Sequence, residues 1–131
     1  MRVDVRDKSF EITFVNNWCR EQYQEMLCLI DEISAIPEEY DEVRNSDKSQ
    51  KAKLSELKEI NTRQHELTRK ISDIRFAIVQ ELLETNEYEF DERWWKRKTD
   101  VDDLNDFMLT CMQKDIKGGG TKKKSSSTET D

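Results

Sequence analysis

The 131-residue chain contains one proline, one histidine and three glycines, the glycines adjacent at Gly118-Gly119-Gly120. So few turn formers exclude a many-stranded sheet with tight reversals and favour long helices. The lone His65 lies among Arg63, Gln64 and Glu66, with no cysteine or second histidine beside it to complete a metal centre or a nucleophile–base pair. It reads as a surface or interhelical histidine. The glycine run precedes no helix and so cradles no phosphate, and Asp102-Asp103 lacks the glycine-bearing loop of a calcium site. These absences set the expectation of a protein that is not an enzyme, with no catalytic residues, no cofactor and no metal. No segment approaches the roughly 20 apolar residues that span a bilayer, so no membrane partner is expected. Cys19, Cys28 and Cys111 are an odd count without close pairing, and no hydrophobic signal segment stands at the amino end. Free thiols in a reducing cytosol follow as the expectation, with Cys19 and Cys28 packing along the first helix.

What is present is charge. Charged residues make up 39% of the chain and apolar residues 34%, with a net charge of −7. Helices with one buried stripe and a wide solvated face fit this balance. Lys117, Lys122, Lys123 and Lys124 outnumber Glu129 and Asp131, so the body before the tail is more acidic than the whole. Phosphate backbones repel such a body, and nucleic acid is a poor partner for it.

The first fifteen residues alternate. Val3 and Val5 share one face, and Phe10, Ile12 and Phe14 share one face, which predicts a β-hairpin over 1–15 turning near Asp7-Lys8-Ser9. Asn16-Asn17 then caps a helix whose stripe is Cys19, Tyr23, Met26, Leu27, Ile30 and Ile33, with Trp18 at its margin. Pro37 either opens a new helix or kinks a continuing one, and a break or bend is favoured. Asn45-Ser46-Asp47-Lys48-Ser49 reads as a turn, so residues 17–84 form either a helical hairpin or one bent helix. From Gln50 to Glu84 the stripe Leu54, Leu57, Ile60, Gln64, Leu67, Ile71, Ile74, Ile78, Leu82 predicts the longest helix, most buried around Phe76–Leu83.

Thr85-Asn86 ends that helix. Asp91 caps a short turn through Trp94-Trp95, and Thr99 with Asp102 has capping-box spacing ahead of a last helix bearing Val101, Leu104, Phe107, Met108, Cys111 and Met112. Lys114 and Lys117 suit the negative end of its dipole. The fold is expected to be mainly α: a helical bundle or hairpin with a short N-terminal β-hairpin, one domain over 1–116, then a disordered tail, 117–131. Tyr88, Phe90, Trp94 and Trp95 crowd into eight residues, too many to point one way. With Phe107 they are the candidate protein-binding residues, some clamping the last helix and some lining a groove for an apolar partner.

The order of these features resembles a known family. A strand pair, Val3-Asp4-Val5 and Phe10-Glu11-Ile12-Thr13-Phe14, is followed by a long helical middle. Then come Phe90-Asp91-Glu92-Arg93-Trp94-Trp95 and Thr99-Asp100-Val101-Asp102-Asp103-Leu104-Asn105-Asp106-Phe107, ahead of a Gly- and Lys-rich tail. This layout is similar to the tail assembly chaperones of long-tailed bacteriophages, especially those of Gram-positive hosts. The resemblance implies a protein of the host cytoplasm that binds and solubilises the tape measure protein. It would assist polymerisation of the tail tube protein, self-associate, and be absent from the virion. It also implies a longer form made by ribosomal frameshifting, for which codons of Lys122-Lys123-Lys124 would supply the slippery run. The alternative is an oligomeric helical adaptor that stays in its final assembly.

Overall fold

The computed structural model describes residues 1–113. Strands β1 (Arg2–Val5) and β2 (Lys8–Glu11) precede helices α1 (Asn17–Ser34), α2 (Ile36–Arg44), α3 (Gln50–Thr85), α4 (Glu92–Lys98) and α5 (Val101–Gln113). The mainly helical class with an N-terminal hairpin is therefore observed. The tail, the fold's expected end near Ile116, and Lys114 and Lys117 lie outside the described residues. The chain divides into two compact units, one built from Met1–Tyr23 and the segment from Ile74 onward, the other from Gln24–Asp73. Helix α3 has 36 residues and is therefore about 54 Å long. It contributes its first two-thirds to the second unit and its last turns to the first.

In the first unit β1 and β2 pair antiparallel with Val3 opposite Phe10 and Val5 opposite Lys8. This register places the valines and Phe10 on one face, all buried, and leaves Asp4 opposite Ser9 on the other, where the Ser9 hydroxyl donates to Asp4 Oδ1 at 2.6 Å. That bond, with Arg2, holds the Asp4 carboxyl below its ordinary pKa. The turn is Arg6-Asp7, earlier than expected, because pairing Val5 with Lys8 is what aligns the apolar face. Arg6 takes φ 54° without being glycine, a left-handed conformation that costs about 1 kcal/mol.

The alternation stops at Ile12. Val15 is fully buried and Phe14 is 42% exposed, so Phe14 does not share the face of Phe10 and Ile12. The physical reason is Asn86, beyond the end of α3. Its Oδ1 accepts from the Thr13 and Phe14 N–H groups at 2.8 and 3.1 Å, and its Nδ2 donates to the Phe14 and Leu82 carbonyls at 2.9 and 2.7 Å. A side chain thus takes the place of a sheet neighbour, and ladder periodicity no longer applies.

Helix α3 ends in a paired wrap: Tyr88 N–H reaches the Leu83 carbonyl at 2.9 Å and Glu87 N–H the Glu84 carbonyl at 3.1 Å. Glu87, at φ 69°, occupies the left-handed position that glycine usually fills. Upstream, Ile78, Val79, Leu82 and Leu83 are all fully buried, as the dense apolar run predicts. Helix α1 begins with Asn16 as cap, its Oδ1 accepting from Cys19 N–H at 2.9 Å while its Nδ2 donates to Glu81 at 2.9 Å.

The second unit is a helical hairpin. Ala35 marks the bend between α1 and α2, and Pro37 sits in the first turn of α2, where its missing N–H costs nothing. The side-chain bonds from α2 and the turn after it to α3 contract in sequence separation: Arg63 to Glu39, Tyr40 to Asn61 at 3.5 Å, Lys53 to the Arg44 carbonyl at 3.0 Å, Lys48 to Glu56 at 2.6 Å. That contraction is the mark of antiparallel strokes closing at the turn Asn45–Ser49. The stripe on α1 differs from expectation: Leu27 is exposed and Leu29 buried, which shifts the inward face toward the line Met26, Leu29, Ile36. Leu54, expected in the stripe of α3, is 67% exposed. Cys28, expected to pack, is exposed too.

Candidate protein-binding surface

The candidate residues all belong to the first unit, where α4 is the short element between α3 and α5. Asp91 caps it, Oδ1 accepting from Trp94 N–H at 3.1 Å. Consecutive tryptophans on one helical turn diverge by about 100°, and here they do so consequentially. Trp95 is buried; Trp94 stays half-exposed.

Trp95 stands at the centre of the aromatic cluster. Its ring stacks on Phe10 at 5.9 Å and Phe90 at 6.3 Å and meets Phe107 edge-on at 5.6 Å and Trp94 at 5.1 Å. Phe10 also meets Tyr88 edge-on at 5.1 Å and Phe107 at 5.9 Å, and Phe90 meets Phe76 at 5.3 Å. Each such pair adds about 0.5–1.5 kcal/mol beyond area burial. The cluster therefore joins β2, the loop after α3, α4 and α5 through side chains far apart in sequence. The Tyr88 hydroxyl accepts from Glu11 N–H at 2.6 Å, tying the ring to the hairpin as well as to Phe10.

The five candidate residues thus divide. Trp95 and Phe107 are core. Tyr88 and Phe90 are half-buried clamps, with a rim of ring surface still open, and Trp94 faces outward. The start of α5 locks this arrangement to the hairpin. Asp100 Oδ1 accepts from Asp103 N–H and Asp103 Oδ2 from Asp100 N–H, each at 3.0 Å, a reciprocal capping box. This corrects the expected Thr99–Asp102 box by one residue: the Thr99 hydroxyl instead donates to the Trp95 carbonyl, closing α4. Arg6 Nε donates to Asp103 Oδ2 at 2.7 Å. The Asp100 N–H and then Arg6 hold the Asp103 carboxyl below its ordinary pKa.

The outer face of α4 carries a signal the aromatic reading passed over. Arg93, Trp94, Arg97 and Lys98, with the capping Asp91, line an open cleft of about 270 Å³. Lys8 from β2 places Nζ 4.7 Å from the Trp94 ring centroid, a cation–π contact worth about 0.5–1 kcal/mol at an exposed site. The run Arg93 to Lys98 holds four cations in six residues of an acidic chain, and that local sign reversal was the signal to follow. Two further exposed aromatics, Phe14 and Trp18, each 42% exposed, lie in the same unit at the junction of hairpin and α1.

Chemistry elsewhere is spare. Among the described residues no group of three or more His, Cys, Asp or Glu is placed to hold a metal ion. No helix among them is long and apolar enough to cross a membrane. Burial pushes the Cys19 thiol to about 12, with the Glu81 charge adding to it, and burial pushes the Cys111 thiol to about 12. Arg75, half-buried, donates to Asn105 Oδ1 at 2.7 Å and joins α3 to α5, while His65 is exposed. Comparison with protein-family models, curated proteins and solved structures finds no match.

Proposed function

We propose that this chain is a bacteriophage tail assembly chaperone, acting in the host cytoplasm to bind and solubilise the tape measure protein and to assist polymerisation of the tail tube. The observation that supports it is one of layout. A β-hairpin, a long helical middle and a tryptophan pair leading into an aspartate-started helix follow in the order that the resemblance implies. The physics is compatible. A chaperone of an apolar helical client needs contact rings that stay accessible over a core that does not depend on them, and Phe14, Trp18 and Trp94 have that character. The acidic exterior keeps both free and loaded forms apart from one another in solution. Self-association along the client would use the outer edges of the two-stranded hairpin.

Co-expression tests the reading. The soluble yield of a tape measure protein should rise several-fold with this chain present, and purified tails should lack the chain. Retention in the finished particle would instead select the oligomeric adaptor. The longer frameshifted form requires a slippery heptamer at the codons of Lys122–Lys124, and a coding sequence without one removes that part of the proposal.

A further inference from the structure

Four carboxylates on and beside α4 are already engaged. Asp91 caps Trp94 N–H, Glu92 pairs with Lys96 at 2.7 Å, and Asp100 and Asp103 face Arg6 at 3.4 and 2.7 Å. Among the described residues the side chains of Arg93, Arg97 and Lys98 have no ion pair or hydrogen bond, although the chain as a whole is rich in acid. These three cations and Trp94 line one cleft, with the Lys8 ammonium closing over the ring. We propose that this cleft docks an acidic segment of a partner polypeptide. Its carboxylates would be held by Arg93, Arg97 and Lys98, and one of its apolar side chains would lie against the open part of Trp94.

The geometry suits a helical segment. Arg93 and Arg97 are one turn apart, as are Trp94 and Lys98, giving two adjacent rows about 6 Å in pitch. Carboxylates four residues apart on a partner helix have the same pitch, and the planar guanidinium fork takes a carboxylate through two parallel hydrogen bonds. A tryptophan beside arginines is also the composition that dominates protein contacts. A phosphodiester strand meets the same cations, but it carries charge along its whole length past the cleft and onto an acidic body. The net charge of −7 therefore favours the short acidic peptide. The inference stands independently of the chaperone proposal, since it concerns the charge class of a segment and not the identity of its owner.

Fluorescence anisotropy on the full chain tests it. The probe is a fluorescein-labelled 16-residue helical peptide of Glu, Ala and Leu, with a Lys, Ala and Leu peptide and a 16-nucleotide single-stranded DNA as comparators. Saturable binding of the acidic peptide is expected, weakened about tenfold by raising salt from 50 to 300 mM and at least tenfold by R93Q/R97Q/K98Q. W94A should weaken it several-fold and leave the salt dependence in place. The substituted side chains are exposed or half-exposed, and an unchanged far-UV spectrum confirms the fold; W94A gives up its edge contact with Trp95 and should melt slightly lower, and should the triple variant melt early, R97Q/K98Q carries the same test. No saturable binding, an unchanged affinity in the cation variant, or DNA binding as tightly as the peptide overturns the proposal. Peptide binding that fails while a tape measure protein is still solubilised removes this surface alone.

Discussion

The two compact units bury their apolar residues differently. Among the described residues, of the eleven largest fully buried side chains ten belong to the hairpin-bearing unit and only Ile36 to Gln24–Asp73. The second unit otherwise relies on Met26, Leu29, Ile60, Leu67 and Ile71, each slightly exposed, and on ion pairs at its surface. Its contacts are local, between helices that follow each other through a short turn. The first unit is held by bonds between residues 72 to 97 positions apart, from Asn86 to Phe14 and from Arg6 to Asp103. Local helical pairing forms fast but shallow; non-local assembly costs more chain entropy and must be offset by complete burial. The second unit should therefore open first, and the first unit should set global stability.

Thiol reactivity makes that difference measurable at its largest. Cys28 is exposed, whereas Cys19 and Cys111 are buried with thiols raised to about 12. At pH 8 one thiol should react promptly with an aromatic disulfide reagent. The other two should react on the order of a thousandfold more slowly, through opening of the first unit. The sign of the pH effect follows. The unfolded thiols ionise near 9.0 and the folded ones near 12, so as pH rises above about 9 the unfolded chain loses protons that the folded chain keeps. Stability then falls, and C19A/C111A should flatten that fall. Prompt reaction of all three thiols would break the comparison.

Core truncation sharpens it. Phe107→Ala removes a fully buried ring from the aromatic cluster and should cost about 3–5 kcal/mol in denaturant unfolding, whereas Leu67→Ala in the second unit should cost about 2–3 kcal/mol. Equal losses would mean that the shallower unit is as tightly coupled as the deeper one. Asn86→Ala deletes a side chain with four backbone partners, part of them exposed, and should cost about 2 kcal/mol, with faster hydrogen exchange at Thr13 and Phe14. Asn86→Asp keeps the acceptor but sets a carboxylate oxygen against the Phe14 and Leu82 carbonyls, and should cost at least as much as the alanine.

The same contrast marks what could be read beforehand. Period-two and period-3.6 patterns located the strand pair and the helices, the Asn16 and Asp91 caps and the bend by Pro37, because each depends on residues close in sequence, whereas Asn45–Ser49 read as a turn without deciding between a hairpin and one bent helix. Three of the misplacements have their source outside the local pattern. Phe14 turned outward because Asn86 captured its backbone; the capping box moved to Asp100–Asp103, where Arg6 reaches it; Leu29 displaced Leu27 where α1 bends into α2. Each was decided by a partner distant along the chain or by a bend in it. At the candidate surface the aromatic cluster was legible as composition, but the partition into core Trp95 and outward Trp94 needed the hairpin to supply Phe10 and Lys8.

Backbone strain gives a smaller test, with opposite sign. Glu87 holds the left-handed position after α3 at φ 69°, where a Cβ is disfavoured. Glu87→Gly should stabilise the first unit by about 1 kcal/mol, less a few tenths for the added freedom of the unfolded chain. A destabilised variant would show that the Glu87 side chain contributes more to the loop than its conformation costs.

The least effect is expected where the second unit carries most of its polar contacts. Lys48 and Glu56 meet at 2.6 Å across the turn, but the lysine is about half-exposed and the glutamate a third exposed, so water competes for both. A double-mutant cycle with K48A and E56A should give a coupling of about 0.5 kcal/mol, vanishing in 1 M salt. A coupling above about 1.5 kcal/mol would mean that the hairpin is held at its surface rather than along its buried stripe. The rank order of the two units would then have to be argued from charge instead of depth.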